Sequence, residues 1–319
     1  MKKTIGETPM IKIKYKYKNE EKEIYVKLEQ YNLTGSIKDR IALYIIEETE
    51  KSKILKEKMP IIEATSGNTG ISFAALGTKT NHPVYIFIPD FVSSERIKLL
   101  KSYGAKVTLV KREEGGFKKC IELADKLSKE INGYRPNQFS NYLNSKCHYL
   151  KTGREIIEQV KEEKIGGFVS GIGSGGTIMG VSKKLKEYYP NILIGAVMPK
   201  EMPLLNKDIP TRHKIEGIGD DFIPELLDQK IINKVFYIED EDAINMARLL
   251  SKKLGLGVGI SSGANFLGAV LLGESSNEIV VTIFPDDNKK YLTTDLSKPI
   301  NLNKNLISNK IELLSYEEI

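Results

Sequence analysis

The chain has 319 residues, of which 40% are hydrophobic and 28% charged, a composition typical of a folded globular protein and not of a disordered one. At roughly 150 residues per domain, this length predicts about two domains. The net charge of +6 is spread along the chain, so it does not favour binding to nucleic acid.

Short strands and helices alternate along most of the chain. Strands are predicted where short runs are rich in Ile and Val and apolar on both faces, as buried parallel strands are, at residues 24–28, 61–63, 84–88, 106–110, 167–170, 192–197 and 279–284. Helices are predicted between them, at residues 38–50, 68–76, 94–103, 117–131 and 177–188. This alternation predicts an α/β fold with mostly parallel sheets and helices on both faces.

Three further segments lie outside this alternation. Residues 12–18 alternate Lys with Ile and Tyr, which predicts an exposed strand with its basic residues on one face. Residues 198–219 carry three prolines and little periodicity, which predicts a long loop of the kind that often serves a site. The tail after Thr294 is polar and is predicted to be peripheral.

Cysteine and histidine are too scattered to predict a metal site. Cys120 and Cys147 form no CxxC pair and offer no disulfide framework, so both are expected to be structural, and His82, His148 and His213 lie far apart. No apolar run reaches about 18 residues, and the N-terminus lacks the apolar segment of a signal peptide. We therefore expect a cytoplasmic protein in a reducing compartment, with no metal and no membrane partner.

Three turns rich in glycine and hydroxyl residues follow predicted strands, where α/β folds bind ligands. In residues 171–177 (GIGSGGT), small residues let backbone N–H groups point at one anion, and the next helix adds its positive dipole end. This turn suits a phosphate. It also matches the dinucleotide pattern GxGxxG, but the acidic residue expected about 20 residues later is missing. The alternative is a tight turn needed only for packing.

The other two turns also lie at predicted helix starts. Residues 65–70 (TSGNTG) combine hydroxyls, an amide and backbone donors, which suits a carboxylate; the alternative is simple N-capping, which needs only one such residue. Residues 32–40 (NLTGSIKDR) place Lys38 against a positive dipole end, which lowers the pKa of its amine and favours a nucleophile. The alternative is a solvated lysine. Together the three turns predict pyridoxal phosphate as the cofactor.

With these motifs the sequence resembles the cysteine synthase and cystathionine β-synthase family, which has the two-domain tryptophan-synthase-β fold (fold type II of pyridoxal phosphate enzymes). The resemblance runs from residues 5–9 (IGETP) to residues 284–286 (FPD) and 291–292 (YL). It implies a smaller mobile domain of residues 35–145 with 1–12, and a larger cofactor domain of residues 13–34 with 146–319. It also implies a homodimer acting on small amino-acid substrates. Because the chain is shorter than the cystathionine β-synthases that carry a haem segment and a regulatory tandem domain, we expect neither haem nor a nucleotide-type regulator.

The resemblance implies a role for each motif residue. Lys38 would bind the cofactor's aldehyde and remove the substrate's Cα proton, and Asn68 would hydrogen-bond the phenolic oxygen. Ser261 would face the pyridine nitrogen; a neutral hydroxyl leaves that nitrogen largely unprotonated, which disfavours transamination and leaves β-elimination open. The cofactor's phosphate would be bound by Gly173, Ser174 (more often Thr in the family), Gly175, Gly176 and Thr177. The substrate would be bound by Thr65, Ser66, Gly67, Thr69, Gln138 and Gly217. Asp220 and Asp221 are added to the substrate site because of their charge and not because of the resemblance.

Asp220 and Asp221 depart from the family pattern. The family usually has Ala-Gly where residues 217–224 (GIGDDFIP) carry this acidic pair. A carboxylate facing the site would repel a sulfide anion and attract an ammonium group, which favours an amino-acid thiol as the acceptor. The alternative is that both carboxylates are solvated or that one caps a helix near Pro224.

The implied reaction is β-replacement on L-cysteine, which releases hydrogen sulfide and forms L-lanthionine, as in the bacterial hydrogen-sulfide-producing lanthionine synthases of the family. Cysteine synthesis from O-acetylserine and sulfide, or condensation of the cystathionine β-synthase type, is the first alternative. A dinucleotide-dependent oxidoreductase would leave Lys38 and residues 65–70 unexplained. A non-catalytic binding protein would not need Lys38, Asn68 and Ser261.

Overall fold

The computed structural model describes residues 4–161, 163–201, 213–276, 278–298 and 305–319. The strands are β1 Met10–Tyr17, β2 Glu20–Leu28, β3 Ile61–Ala64, β4 Val84–Pro89, β5 Lys106–Val110, β6 Ile165–Gly171, β7 Leu193–Pro199, β8 Lys234–Ile238, β9 Ile279–Phe284 and β10 Ile311–Glu318. The helices are α1 Lys38–Lys51, α2 Asn68–Lys79, α3 Ser94–Ser102, α4 Gly116–Glu130, α5 Tyr142–Cys147, α6 Gly153–Val160, α7 Gly176–Tyr188, α8 Asp240–Leu254 and α9 Ile260–Gly273.

The larger sheet is mostly parallel and carries helices on both faces. Its strand order is β10-β1-β2-β9-β6-β7-β8, and the strands from β2 to β8 in this order run parallel. Phe168 and Val169 are both fully buried, on opposite faces of β6. Helices α8 and α9 pack on the Val169 face, and α6 and α7 pack on the Phe168 face. Because both faces are covered, these strands are apolar throughout, as the sequence indicated.

The smaller sheet, β3-β4-β5, is also parallel and lies between helices. Helices α1 and α2 pack against one face through residues such as Ile45 and Phe73, which meet Ile86 of β4. Helix α4 covers the other face, where Cys120 packs near Phe87. The predicted α/β class with two helix-flanked, mostly parallel sheets is confirmed. The domain boundaries stay a prediction; residues 10–12, assigned there to the smaller domain, lie in β1 of the larger sheet.

The segments outside the predicted alternation differ in part from expectation. β1 does keep Lys12, Lys14 and Lys16 on one face, but it is not an exposed strand, since it pairs with β2 and β10 and buries its Ile13 and Tyr15 face. The mostly exposed tail contributes β10 to the sheet edge. Residues 202–212 of the predicted loop at 198–219 lie outside the described residues.

A buried cluster of charges holds the first turn of α1. Arg40 binds Glu29 and Glu155 with two hydrogen bonds each, at 2.5 to 2.8 Å. Lys27 lies 2.8 Å from Glu155, and all four charged side chains are at most 2% exposed. Burial raises the pKa of Glu155, but hydrogen bonds and charge from Arg40 and Lys27 outweigh it and lower that pKa to about 2. The cluster joins β2, α1 and α6, and its member Arg40 lies two residues after Lys38 in the chain.

Removing one member of this cluster should be strongly destabilising. We expect Glu155→Ala to lower the free energy of unfolding by about 3 to 5 kcal/mol, because Lys27 loses its partner carboxylate and Arg40 loses two hydrogen bonds while both cations stay buried. Urea denaturation followed by circular dichroism measures the change. Glu158→Ala on the same helix is the matched control, since Glu158 forms an exposed 3.6 Å ion pair with Arg154 and should cost about 0.5 kcal/mol or less. Equal losses in the two variants would contradict the role given to the buried cluster.

Candidate active site

One cavity lies at the carboxyl ends of β3, β6 and β9, where the predicted turns meet. Most predicted site residues line it: Lys38, Thr65, Ser66, Asn68, Thr69, Gln138, Gly173, Ser174, Gly175, Thr177, Gly217, Asp220 and Ser261. Gly67 and Gly176 belong to the same turns without lining the cavity, and Asp221 lines a wider cleft outside it. Long-range packing thus brings together residues that are far apart in the sequence.

Four helices begin at the wall of this cavity. Helices α1, α2, α7 and α9 start at Lys38, Asn68, Gly176 and Ile260, and each contributes a lining residue from its first turn. The first N–H groups of a helix have no partner within the helix and carry the positive end of its dipole. The cavity is therefore suited to a ligand with several negative groups, such as a phosphate and a carboxylate.

Lys38 extends a half-buried amine into the cavity. Within the described residues its Nζ has no hydrogen bond or ion pair, while the preceding residue is held by a 2.8 Å bond from the Ile37 N–H to the Pro285 carbonyl. Burial lowers the pKa of Lys38 to about 8, and the charge of Asp220 acts in the opposite direction. Burial, and not the helix dipole expected from the sequence, is the main cause of this lowered pKa. Such an amine is readily deprotonated and can act as a nucleophile or a base.

The hydroxyl-rich turn before α2 does not serve as a side-chain cap. The N-cap is Gly67, at φ +151°, and no side chain there accepts a capping hydrogen bond. The Thr69 hydroxyl donates instead to Gln138 Oε1 at 2.7 Å, and both residues line the cavity. Ser66 is half-buried on the same wall. The alternative of simple N-capping is therefore wrong, and the turn presents hydroxyl and backbone donors to the cavity.

The glycine-rich turn before α7 needs its small residues for close contacts. A Cβ atom on Gly173 would lie 2.4 Å from the Gly217 carbonyl oxygen, and one on Gly176 would lie 1.9 Å from the Asn144 side chain. Asn144 Nδ2 donates to Ser174 Oγ at 2.9 Å. The glycines are thus needed for packing. The N–H groups that begin α7 also lie at the cavity wall, so the predictions of a tightly packed turn and of an anion site are compatible.

Two residues beneath this turn were not found from the sequence. Asn144 bridges Ser174 Oγ and the Gln138 carbonyl, and His148 Nε2 lies 3.2 Å from the Thr177 hydroxyl. Burial and the charges of Lys38 and Arg40 hold the pKa of His148 well below its usual value, so the imidazole is neutral. Both residues lie in α5 or the π-helical turn that follows it, and no sequence motif marked them.

The two residues of the acidic pair lie in different environments: Asp220 lines the cavity, whereas Asp221 is exposed. Asp220 lines both the cavity and the outer cleft, and burial together with the charge of Asp221 raises its pKa to about 6, against an opposing effect of Lys38. Asp221 is exposed and lies 3.3 Å from Lys118 of α4. Phe222 anchors the loop between Phe117 and Phe139, with ring centroids 6.3 and 4.8 Å away. The alternative that both carboxylates are solvated is thus wrong for Asp220.

An ion pair that was not predicted from the sequence lies at the wall of the cavity. Arg96 of α3 is buried, pairs with Glu216 and lies 4.6 Å above the Tyr291 ring. A Cβ atom at Gly67 would lie 2.2 Å from Arg96 Cδ, so this glycine makes room for the arginine. In the sequence, only the position of Glu216 next to Gly217 indicated that either residue of this pair lies near the site. The contact joins the smaller-sheet side of the site to the loop that carries Asp220.

The described residues contain no helix long and apolar enough to cross a lipid bilayer. Within the same residues, no group of three or more His, Cys, Asp or Glu could hold a metal ion.

Cys120 and Cys147 are both buried, and burial raises the pKa of each thiol to about 12, so neither is reactive. Within the described residues, neither cysteine lines the cavity, whereas the amine of Lys38 does.

The family model described as pyridoxal-phosphate dependent enzyme matches residues 1–286. A hydrogen sulfide-producing enzyme from Fusobacterium nucleatum is 45% identical, with a TM-score of 0.95 and coverage of 100% of this chain and 98% of that one. A second such enzyme from the same organism is 40% identical, with a TM-score of 0.84 and coverage of 91% and 98%. A cysteine synthase from Staphylococcus aureus is 38% identical over 294 residues, 92% of this chain and 94% of the relative.

The cavity fits the cofactor that these matches imply. Pyridoxal phosphate has an aldehyde, a dianionic phosphate and a phenolic oxygen, and the cavity offers an amine without a partner, four helix N-termini and the amide of Asn68. The predicted cofactor and family are confirmed, and the oxidoreductase and binding-protein alternatives are excluded. The chain belongs to the pyridoxal-phosphate-dependent enzymes of the cysteine synthase family, which replace the β-substituent of an amino acid.

Proposed function

We propose that this enzyme converts two molecules of L-cysteine into L-lanthionine and hydrogen sulfide. One cysteine loses its thiol from Cβ, and the sulfur of the second forms the new C–S bond there. The displaced sulfur leaves as hydrogen sulfide, so all atoms balance. The observation that carries this proposal is Asp220, a carboxylate that lines both the cavity and the wider cleft outside it. The 45% identity to a hydrogen sulfide-producing enzyme supports it.

When bound, pyridoxal phosphate withdraws electrons from the substrate's Cα and so labilises the Cα proton. We assign Lys38 to hold the cofactor's aldehyde carbon and, once released, to take this proton on Nζ, for which a pKa of about 8 is suitable. Ser261, 3% exposed in the first turn of α9, would face the ring nitrogen as a neutral hydroxyl. The residues assigned to the phosphate are Gly173, Ser174, Gly175, Gly176 and Thr177.

The first substrate would be oriented by the turn before α2. Its carboxylate would accept hydrogen bonds from the Thr65 and Ser66 hydroxyls and from the N–H groups that begin α2, including that of Thr69, with the Gly67 backbone and Gln138 completing the pocket. The 2.7 Å bond between Thr69 and Gln138 supports this assignment, since it holds both groups at the cavity wall. Gly217, which lines the cavity and has a φ of +96° that favours glycine, would lie near the substrate's ammonium group.

The second substrate would be selected by charge. Because the pKa of Asp220 is about 6, its side chain is mostly ionised at pH 7. An ionised carboxylate attracts the ammonium group of an incoming amino acid and repels a sulfide anion. Asp221 would contribute less, because it is exposed and lies near Lys118. This division of roles is the basis for preferring an amino-acid thiol over sulfide.

Incubation of the purified holoenzyme with L-cysteine as the only substrate tests the proposal. We expect sulfide and lanthionine in equal amounts, the first measured with a colorimetric assay and the second by mass spectrometry. Sulfide with pyruvate and no thioether would identify β-elimination without an amino-acid acceptor. No sulfide and no thioether, together with cysteine formation from O-acetylserine and sulfide, would identify a cysteine synthase, the activity named for the Staphylococcus aureus relative.

The pH dependence of the acceptor step should follow Asp220. Its pKa is raised to about 6, so the side chain is neutral below this pH and charged above it. We therefore expect the rate with L-cysteine to rise by about 10-fold between pH 5 and pH 7, the direction in which the carboxylate ionises. Stopped-flow measurement of the acceptor step across this range checks the prediction. An Asp220→Asn variant with the same rise would show that another group titrates.

Three further features are proposed from the family resemblance. These are a homodimer, a cytoplasmic location and a smaller domain, centred on residues 35–145, that closes over the substrate. Closure would exclude water from the reacting carbon. Sedimentation equilibrium of the holoenzyme tests the dimer, and small-angle scattering with and without L-cysteine tests the closure.

A further inference from the structure

Asp286 is a fully buried carboxylate at the end of β9 that the reaction proposed above does not use. Its Oδ2 accepts two hydrogen bonds, from Asn68 Nδ2 at 2.8 Å and from the Tyr291 hydroxyl at 2.8 Å. Its Oδ1 has no partner among the described residues. Arg96 lies 3.9 Å away but is paired with Glu216. A buried carboxylate with one unsatisfied oxygen is costly, which points to a role beyond packing.

The backbone around Asp286 contacts the segments that carry Lys38 and Ser261. The Pro285 carbonyl accepts from the Ile37 N–H at 2.8 Å, next to Lys38. The Asp286 carbonyl accepts from the Gly259 N–H at 3.0 Å, two residues before Ser261. A Cβ atom on Gly259 would lie 2.0 Å from Asp286 Oδ1, so the carboxylate depends on this glycine for space. Residues 285–286 thus connect the segments of three residues assigned to the cofactor.

We propose that Asp286 is a positioning residue that fixes the orientation of the Asn68 amide and thereby presents an N–H, not a carbonyl, to the phenolic oxygen of the cofactor. This inference rests on the proposed assignment of that oxygen to Asn68. It adds a residue that touches neither cofactor nor substrate and acts only through Asn68.

The chemistry of the two side chains allows one orientation. An amide NH₂ group has two N–H donors, and Asp286 Oδ2 accepts from one of them and from the Tyr291 hydroxyl, although burial raises the pKa of this carboxyl. One Asn68 N–H is bound to Asp286, which leaves the second as the donor available to the cofactor. The reverse orientation would place the Asn68 carbonyl oxygen against the carboxylate, and two buried acceptors repel each other. Asn68 Oδ1 is buried without a partner among the described residues, so the amide keeps this orientation at the cost of one unsatisfied atom.

The absorption spectrum of the holoenzyme and the rate of cofactor loss on dilution test the proposal. The visible band of bound pyridoxal phosphate responds to hydrogen bonding at its phenolic oxygen. We expect Asn68→Ala and Asp286→Ala to shift this band in the same direction and to release the cofactor about 10-fold faster. Asp286→Asn keeps an accepting oxygen toward Asn68 and should restore the wild-type spectrum. Tyr291→Phe removes the other bond to Oδ2 and should leave the spectrum unchanged.

The double variant separates positioning from a general loss of structure. If Asp286 acts only through Asn68, the Asn68→Ala, Asp286→Ala double variant should lose cofactor no faster than Asn68→Ala alone. Additive effects, or a normal spectrum in Asp286→Ala, would overturn the inference while leaving the Asn68 assignment intact. An unchanged spectrum in Asn68→Ala would instead overturn the proposed placement of the cofactor's phenolic oxygen. If Asp286→Ala fails to fold, Asp286→Ser removes the same acceptor with a smaller change in side-chain polarity.

Discussion

Lys38→Ala should lower kcat for β-replacement by about 10³-fold or more, because one residue supplies both the covalent attachment of the cofactor and the base for the Cα proton. The fold should be retained. Lys38 Nζ has no hydrogen bond or ion pair within the described residues, and alanine is a good former of the first helical turn. Steady-state kinetics with L-cysteine measures the loss of rate.

The covalent role can be measured separately from the rate. Borohydride reduction of the wild-type holoenzyme should fix the cofactor on the peptide that contains Lys38, as read by peptide mass spectrometry, and the variant should carry no such label. Lys51→Ala, at the exposed end of the same helix, is the matched control and should keep both label and rate. Label on a different lysine in the wild-type protein would contradict the assignment of Lys38.

Asp220→Asn should lower kcat/KM for L-cysteine as the acceptor by about 10- to 100-fold while leaving the use of sulfide unchanged or increased. Two unit charges about 4 Å apart near a protein surface attract by up to about 4 kcal/mol, and access of solvent to the cleft reduces this. The substitution keeps the size of the side chain and removes its charge. Competition between L-cysteine and sulfide for one β-substituted donor, read by mass spectrometry, measures the preference directly.

Asp221→Asn is the matched control for this charge effect. Asp221 neighbours Asp220 in the chain but is exposed and lies 3.3 Å from Lys118, so its charge should act weakly on the cavity. We expect a change of about 3-fold or less in the same competition. A larger effect from Asp221→Asn than from Asp220→Asn would show that Asp221, and not Asp220, selects the acceptor. No effect from either variant would show that the loop does not select the acceptor by charge.

The site residues that were predicted from the sequence lie in continuous motifs. Residues 65–70 and 171–177 concentrate small and hydroxyl residues after buried strands, and this pattern requires a turn with exposed N–H groups. Lys38 was identified by its position at a helix start. These features are local, so the sequence shows them without knowledge of what packs nearby.

The supporting residues could not be found in this way. Asn144 and Arg96 each contact a motif residue from a distant segment, and their own neighbours in the sequence give no reason for a buried polar group. Asp286 lies in residues 284–286 (FPD), which carry the resemblance, but its contact with Asn68 depends on packing between segments far apart in the chain. Helix α9 was also missed, because nearly all of its residues are buried and the sequence has no polar face to mark a helical period. The acidic pair shows the same limit, since only the tertiary structure distinguishes the inward Asp220 from the exposed Asp221.

The α/β class, the family, the cofactor and the residues of the three turns follow from the amino-acid sequence alone, because strand burial, turn chemistry and motif order are properties of short segments. Three features depend on tertiary contacts: the hydrogen bond between Asn68 and Asp286, the burial that lowers the pKa of Lys38 to about 8, and which carboxylate reaches the cavity. Each of these depends on contacts and solvent exclusion between segments far apart in the chain. They arise only when β9, α1, α2 and residues 217–224 pack around one cavity.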